Sequence, residues 1–304
     1  MVAVLSGVIL VVLIGAAAMA RRAATRLQDE TSRRLPVGAN GFIPGAEAFE
    51  LQRGPDEPAV LLLHGGGDTP QTLRYLAEYL YARGYNVRVP LLPGHGRSLR
   101  DFSSVGIDDW METARSAYRE LTVRHRWVAI GGLSMGGALA ARLAAEQSPP
   151  ALALMAPYFA MPRYVTIAAR LSRFWGPAAP YVRAVNPQTA RSIHNETEAE
   201  RSLGYGVFTP AALRALYATV TGAIAALPNV RIPTLVIQSR EDNRIPAAAA
   251  QHAFDLIGAK DKQLVWVSGA GHVITVDFGR DRVFQLVGDF LESHRMSATR
   301  ERHA

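Results

Sequence analysis

Cysteine is absent from all 304 residues. Its absence excludes a disulfide framework, a thiolate metal site and a cysteine nucleophile together, and leaves the redox compartment open. Charge is sparse: charged residues make up 19% of the chain against 49% hydrophobic, the balance of a globular protein with a sizeable core. No charge interrupts Val2–Ala20, no repeat recurs at periods of 20–50 residues, and no low-complexity tract appears beyond alanine-rich stretches of helical length. The formal net charge of +7 gathers at the ends. Arg21, Arg22, Arg26, Arg33 and Arg34 outnumber Asp29 and Glu30, and Arg295, Arg300 and Arg302 outnumber Glu301. The body between them is nearly neutral. It lacks the clustered basic face that nucleic acid requires, so no nucleic-acid partner is expected.

The apolar run Val2–Ala20 is long enough to matter. Nineteen residues in a helix reach about 28 Å, close to the ~30 Å hydrocarbon core of a bilayer. The run and its arginine flank, residues 1–27, read as a single-pass membrane anchor whose basic side favours a cytoplasmic body. The alternative is a cleaved secretory signal, since Ala18-Met19-Ala20 has the small-x-small form of a cleavage site; the body would then be secreted or periplasmic. No Lys or Arg precedes the run, and it exceeds a usual signal core, which weighs for retention. An artefact of start-site choice is the third reading. Residues 28–41 are expected as a polar linker and 295–304 as a frayed basic tail.

From Phe42 short apolar runs alternate with amphipathic stretches. Ala59–Leu63, Val87–Val89, Trp127–Ile130, Leu152–Met155, Thr234–Gln238 and Gln263–Val267 have strand character, and Ala46–Leu51 suggests an antiparallel edge. Gln71–Arg83, Asp108–Arg124, Met135–Glu146, Ala211–Leu227, Ala247–Leu256 and Arg280–His294 read as helices; Leu73, Leu76, Ala77 and Leu80 mark one face of the first. Strands and helices in this alternation predict an α/β fold, a mostly parallel sheet with helices on both faces. Between Met155 and Thr234 no strand is evident, and Pro157, Pro162, Pro177, Pro180, Pro187 and Pro210 punctuate the interval. So long a stretch is not a plain loop. It predicts a helical cap at 157–210 inserted between core segments 42–156 and 211–294, over the sheet edge where α/β proteins bind ligands.

The strand at Trp127–Ile130 runs into Gly131-Gly132-Leu133-Ser134-Met135-Gly136-Gly137 and then a helix. Gly132-x-Ser134-x-Gly136 fits a nucleophile elbow, a turn so sharp that side chains two before and two after the serine would strike backbone. His272 and Asp242 each follow a strand, placing them at the same sheet edge as Ser134. Ser134 needs a base, His272 is placed to be one, and Asp242 would fix its tautomer; Glu241 is the weaker rival to Asp242. His64-Gly65-Gly66-Gly67 after Ala59–Leu63 supplies a candidate oxyanion hole, with the backbone N–H groups of Gly66 and Met135 as donors. His64 and Pro93-Gly94-His95-Gly96 read as structural, and His125, His194 and His252 as surface or packing residues. In the cap, Phe159, Met161 and Trp175 are candidate substrate contacts.

On Leu61-Leu62-Leu63-His64-Gly65, Pro93-Gly94-His95-Gly96, Gly132-Leu133-Ser134-Met135-Gly136-Gly137 and Gly271-His272-Val273-Ile274-Thr275-x-Asp277, the stretch 42–294 resembles the α/β-hydrolase fold. More narrowly, it resembles the bacterial carboxylesterase and monoacylglycerol lipase group of the serine aminopeptidase-like hydrolases. The resemblance implies Ser134, Asp242 and His272 as the triad, a small cap over an acyl pocket, and hydrolysis of lipid-like carboxylic esters with no cofactor or metal. Gly66 departs from the group, which more often has a bulky residue after His-Gly, and so does the apolar segment at 2–20. The expected partners are a small amphiphilic ester and, through the N-terminal helix, a membrane; the sequence leaves the oligomeric state unknown. A thioesterase, lysophospholipase or peptidase on the same scaffold, or a non-catalytic binding module, remain as alternatives.

Overall fold

The run Ala59-Val60-Leu61-Leu62-Leu63 is apolar at every position, a pattern a strand needs when both sheet faces are covered. The computed structural model describes residues 2–183 and 192–301. Its elements in chain order are α1 (Val2–Arg34), β1 (Phe49–Leu51), β2 (Ala59–Leu63), α2 (Arg74–Ala82), β3 (Asn86–Val89), α3 (Leu99–Phe102), α4 (Ile107–Arg124), β4 (Val128–Leu133), α5 (Met135–Gln147) and β5 (Leu152–Met155). They continue with α6 (Arg163–Trp175), β6 (Val182–Arg183), α7 (Glu196–Arg201), β7 (Val207–Phe208), α8 (Pro210–Ala226), β8 (Thr234–Ser239), α9 (Ala247–Leu256), β9 (Lys262–Val267) and α10 (Arg280–Glu301).

Seven strands form one sheet in the order β1-β3-β2-β4-β5-β8-β9. Every pairing in it is parallel except β1 with β3, where Phe49 lies opposite Val89. Successive side chains of a strand point to opposite faces, so each inner strand feeds two cores. Ala59, Leu61 and Leu63 pack with residues of α4, α5 and α8, including Leu121, Leu139 and Leu216. Val60 and Leu62 pack with Leu76 and Leu80 of α2 and with Val283, Val287 and Leu291 of α10. The first expected helix opens as a 3-10 turn, Pro70–Leu73, before α2, since Pro70 brings no amide donor to that first turn.

Three expectations need correcting. Residues 28–41 are not a linker throughout: α1 continues to Arg34, because Ala24, Thr31 and Leu35 are buried against the body and the helix gains packing there. Arg34 donates to the carbonyls of Ser202, Gly204 and Tyr205, which fixes the helix end to the segment before β7. The tail at 295–304 is not frayed from Arg295, since α10 runs on to Glu301, held at Arg295 by Glu292 at 2.7 Å. Nor is the interval 157–210 purely helical. It contains α6 and α7 but also an antiparallel pair, β6 with β7, in which Val182 lies opposite Phe208. Two-residue strands carry too little pattern to be read from sequence. Residues 184–191 of that interval, with Pro187, lie outside the described residues, as do 302–304.

Among the described residues one helix has the length and apolarity to cross a membrane, Pro210–Asn229. It belongs to the core: Leu213, Leu216, Val220 and Ala223 of α8 are buried, and it packs on α5, α6 and α4. On α1, Val11, Val12, Leu13, Ile14 and Met19 are exposed.

Candidate active site

Loops at the carboxyl ends of parallel strands bring the site together. Ser134 stands between β4 and α5 with φ 55° and ψ −120°, a left-handed conformation that costs a non-glycine residue energy. The flanking glycines explain how the turn closes. A Cβ at Gly132 would strike the carbonyl of Gly136, and one at Gly136 would strike the carbonyl of Leu63. The turn is pinned from both sides: the Ser134 amide donates to Met155 O (3.0 Å), and its carbonyl accepts from the Tyr158 amide (2.9 Å).

His272 follows β9 and is held from behind. One oxygen of the buried Asp277 carboxylate accepts the amides of Gly271 (2.7 Å) and His194 (2.8 Å), and the other those of Asn195 and Phe278 (2.8 Å each). One side chain thereby ties the histidine loop to the segment leading into α7. His272 Nδ1 lies 2.8 Å from Asp242 Oδ2, and Nε2 lies 2.7 Å from Ser134 Oγ. With a carboxylate at Nδ1, the neutral ring carries its proton there and presents Nε2 as an acceptor to the hydroxyl. Asp242 is itself fixed by the amides of Arg244 (2.7 Å) and Ile245 (3.0 Å) and by Gln238 Nε2 (2.6 Å). Burial works against its ionisation, but the hydrogen bond and charge of His272, with those two amides, outweigh it and hold the carboxyl below its ordinary range. Glu241 turns elsewhere, accepting from Ser239 Oγ and the Gly269 amide.

The glycine loop after β2 abuts this serine. A Cβ at Gly65 would lie 3.5 Å from Ser134 Cβ, and one at Gly66 would lie 3.5 Å from Met135 Cβ. Met135 opens α5, so its N–H is among the donors that a helix leaves unpaired at its start, at the positive end of the helix dipole. The departure at Gly66 has a local reason, since the Met135 side chain occupies the space beside it, with Sδ 3.0 Å from that Cβ position. His64 and His95 are structural acceptors. His64 Nε2 takes the Leu92 amide and His95 Nε2 the Gly67 amide, each at 3.0 Å. Burial keeps both imidazoles neutral, depressing His64 well below its usual range and His95 to about 4.

Ser134, His272, Gly66 and Met135 line a cavity of about 210 Å³. Its apolar wall includes Leu133, Val207, Phe208 and Leu216; its polar wall includes Asp68, Ser192, Ser202 and Arg244. Phe159, Met161 and Trp175 are not among its described lining residues, which corrects the expected contacts. Pro157 packs against Gly137 and the Tyr158 amide is tied to Ser134, so Tyr158 takes the cavity side while Phe159 turns into the core, against which Met161 also packs. Trp175 donates its Nε1 to Ala168 O within α6 (2.8 Å).

Asp68, Tyr158 and Arg244 were not singled out from sequence, although Asp68 directly follows the glycine loop and Arg244 lies two residues after Asp242. Asp68 Oδ1 accepts the Thr69 amide (2.9 Å). Burial pushes its carboxyl up to about 7, against the opposing hydrogen bonds of Thr69 and Thr72. Arg244 Nε donates to Ser192 Oγ at 3.0 Å, and burial lowers the guanidinium from its usual value. Among the described residues no group of three or more His, Asp or Glu side chains is arranged to hold a metal ion.

Comparison with known proteins follows the same lines. Residues 54–278 match the family described as serine aminopeptidase, S33. The chain is 29% identical over 263 residues to a thermostable monoacylglycerol lipase of Bacillus sp. strain H-257, covering 86% of this chain and 99% of that one. It is 31% identical over 239 residues to a carboxylesterase of Bacillus subtilis strain 168, covering 78% and 93%. Among solved structures, a metagenome-derived lipolytic enzyme superposes with a TM-score of 0.73 at 27% identity, covering 83% of this chain and 99% of that one. The monoacylglycerol lipase of Paleococcus ferrophilus shares the fold at a TM-score of 0.69 and 21% identity, with coverage of 82% and 99%.

Proposed function

The chain belongs to the serine aminopeptidase S33 family of α/β-hydrolases and is a carboxylic ester hydrolase, and we propose that Ser134, His272 and Asp242 carry the reaction on lipid-like esters such as monoacylglycerols. The observation that supports this most is the unbroken relay from Asp242 Oδ2 through His272 to Ser134 Oγ, with contacts of 2.8 and 2.7 Å at the rim of a half-apolar cavity. Ser134 Oγ attacks the ester carbonyl as His272 Nε2 takes its proton, and the amides of Gly66 and Met135 receive the oxyanion. His272 then returns the proton to the leaving alcohol, forming an acyl-enzyme, and afterwards activates the water that releases the acid. The apolar wall and the named activities of the Bacillus relatives favour an acyl chain with a small alcohol.

Ser134→Ala should lower kcat by about 10⁶ while leaving the fold intact, because it removes one oxygen and no packing. The check is turnover of matched monoacylglycerol, p-nitrophenyl ester, acyl-CoA and aminoacyl amide substrates, with fluorophosphonate labelling of the native serine. A folded native chain that refuses the probe would reject the triad. Preference for acyl-CoA or amides would instead favour a thioesterase or peptidase.

Val2–Ala20 is proposed as a membrane anchor and the body as cytoplasmic, on the uncharged run, its exposed Val11–Ile14 and the arginines that follow. Carbonate extraction of membranes carrying the full chain tests retention, and protease protection tests the side.

A further inference from the structure

Strand β8 buries a polar side chain among apolar ones. Gln238 is 0% exposed, on the same side of the strand as the buried Val236, and its Oε1 accepts no hydrogen bond among the described residues. A buried carboxamide with half of its hydrogen-bonding capacity unmet costs free energy that an apolar side chain of similar shape would not. Its other end gives it a use. Nε2 donates to Asp242 Oδ2 at 2.6 Å, the same oxygen that lies 2.8 Å from His272 Nδ1. The amide orientation follows from that contact, since turning it over would set oxygen against carboxylate.

Asp242 thereby has two donors at each oxygen: the amides of Arg244 and Ile245 at Oδ1, and Gln238 and His272 at Oδ2. Four donors fill the lone-pair positions of a carboxylate, so Oδ2 cannot turn away from the ring. The two amides belong to the loop of Asp242 itself. Gln238 belongs to the sheet, in register with Trp266 of β9, the strand that leads to His272. A second donor at Oδ2 also draws charge from the oxygen that faces the imidazole. The protonated ring is then stabilised less, and the neutral base survives to lower pH.

We propose that Gln238 is a positioning residue for the hydrolysis: it holds Asp242 Oδ2 in line with His272 Nδ1 and, by sharing that oxygen, extends activity toward acid pH. The inference rests on the triad proposed above. Other charged and titratable groups face the histidine. Asp68 and Arg244 line its cavity, and the Tyr158 ring lies 6.1 Å from the imidazole. Asp277 accepts the Gly271 amide, while Glu241 and His194 meet the loop at Gly269. Of these, Asp68 is raised by burial to about 7 and titrates in the same window.

The test is kcat/KM for a p-nitrophenyl ester against pH, in the full chain carrying Asp68→Asn to remove that titration. It compares Gln238 with Gln238→Met and Gln238→Glu. Met keeps the size of Gln and brings no donor. Its acid limb should move up by about half a pH unit and its plateau kcat fall by about tenfold. Its melting temperature should hold, since the unmet acceptor leaves together with the donor. Glu shares one proton with Asp242, which spreads a single charge over two carboxyls, so its limb should move down. Limbs displaced in the same direction, or not at all, would overturn the proposal. If the Met chain does not fold, the Glu limb decides alone: a downward shift supports the proposal and any other result overturns it. Failure of the triad reads differently. A folded native chain that refuses a fluorophosphonate overturns both readings, whereas labelled chains with coincident limbs overturn only the role of Gln238.

Discussion

Asp68 shows how one side chain records the environment of the whole cavity. Its carboxyl is raised to about 7 by burial, and its hydrogen-bond partners Thr69 and Thr72 are neutral. In the unfolded chain the group loses its proton near pH 4, as an ordinary aspartate does. Between about pH 4 and 7 the folded state therefore holds a proton that the unfolded state has released, and stability falls as pH rises through that window. Asp68→Asn removes the titration. The variant should match the native protein near pH 4 and exceed it by about 2 kcal/mol at pH 8, less than a sealed site would give because the carboxyl borders cavity water. Urea denaturation at the two values checks this; a constant difference would refute it. Asp242 behaves in the opposite sense, since its lowered carboxyl stays ionised through neutral pH. Asp242→Asn should reduce kcat by about 10⁴ with little change in thermal midpoint, by letting His272 turn its proton toward Ser134. Steady-state kinetics beside a melting curve separates the two effects.

At the scale of an element, the turn from β4 to α5 is decided by what cannot be there. Gly136 lies against the backbone of Leu63, which has nowhere to move inside a parallel sheet, whereas Gly66 lies against the end of the flexible Met135 side chain. Gly136→Ala should thus cost about 3 kcal/mol or prevent folding, and Gly66→Ala less than about 1 kcal/mol. Comparable losses at the two positions would contradict the argument, and differential scanning calorimetry reads both. The strands and long helices were legible in sequence because their patterns repeat over many residues: β2, β5 and α9 begin and end where apolar periodicity sets them. The pair β6 with β7 was not legible, since two residues per strand form no period. Nor were Asp68, Tyr158 and Arg244 as cavity residues, because nothing local distinguishes a charged residue turned inward from one turned out.

Across the whole molecule, α1 joins two kinds of surface. Its first part is apolar and exposed at Val11–Ile14, and its second part docks on the body through Ala24 and Thr31 and through Arg34 to the carbonyls before β7. Removing residues 1–20 should give a chain that no longer sediments with membranes yet keeps its melting temperature and its kcat on a soluble ester. A cut after Leu35 should lower the melting temperature, because it removes the buried Ala24, Thr31 and Leu35 and the bonds from Arg34 to the carbonyls before β7. Equal stability of the two truncations would show that the docked part of α1 contributes nothing.

The chemical parts could be named before any fold was known. A serine between glycines at a strand–helix turn, an aspartate and a histidine each following a strand, and a glycine loop after another are local facts, fixed by which backbone conformations those residues permit. Their meeting is not local: Ser134 and His272 are 138 positions apart, and 2.7 Å separates them because β4 and β9 run parallel in one sheet. The same holds for the choice of Tyr158 over Phe159 at the cavity and for the raised carboxyl of Asp68. Each depends on what other segments bring alongside, and burial, the quantity that sets them, exists only once the chain has closed on itself.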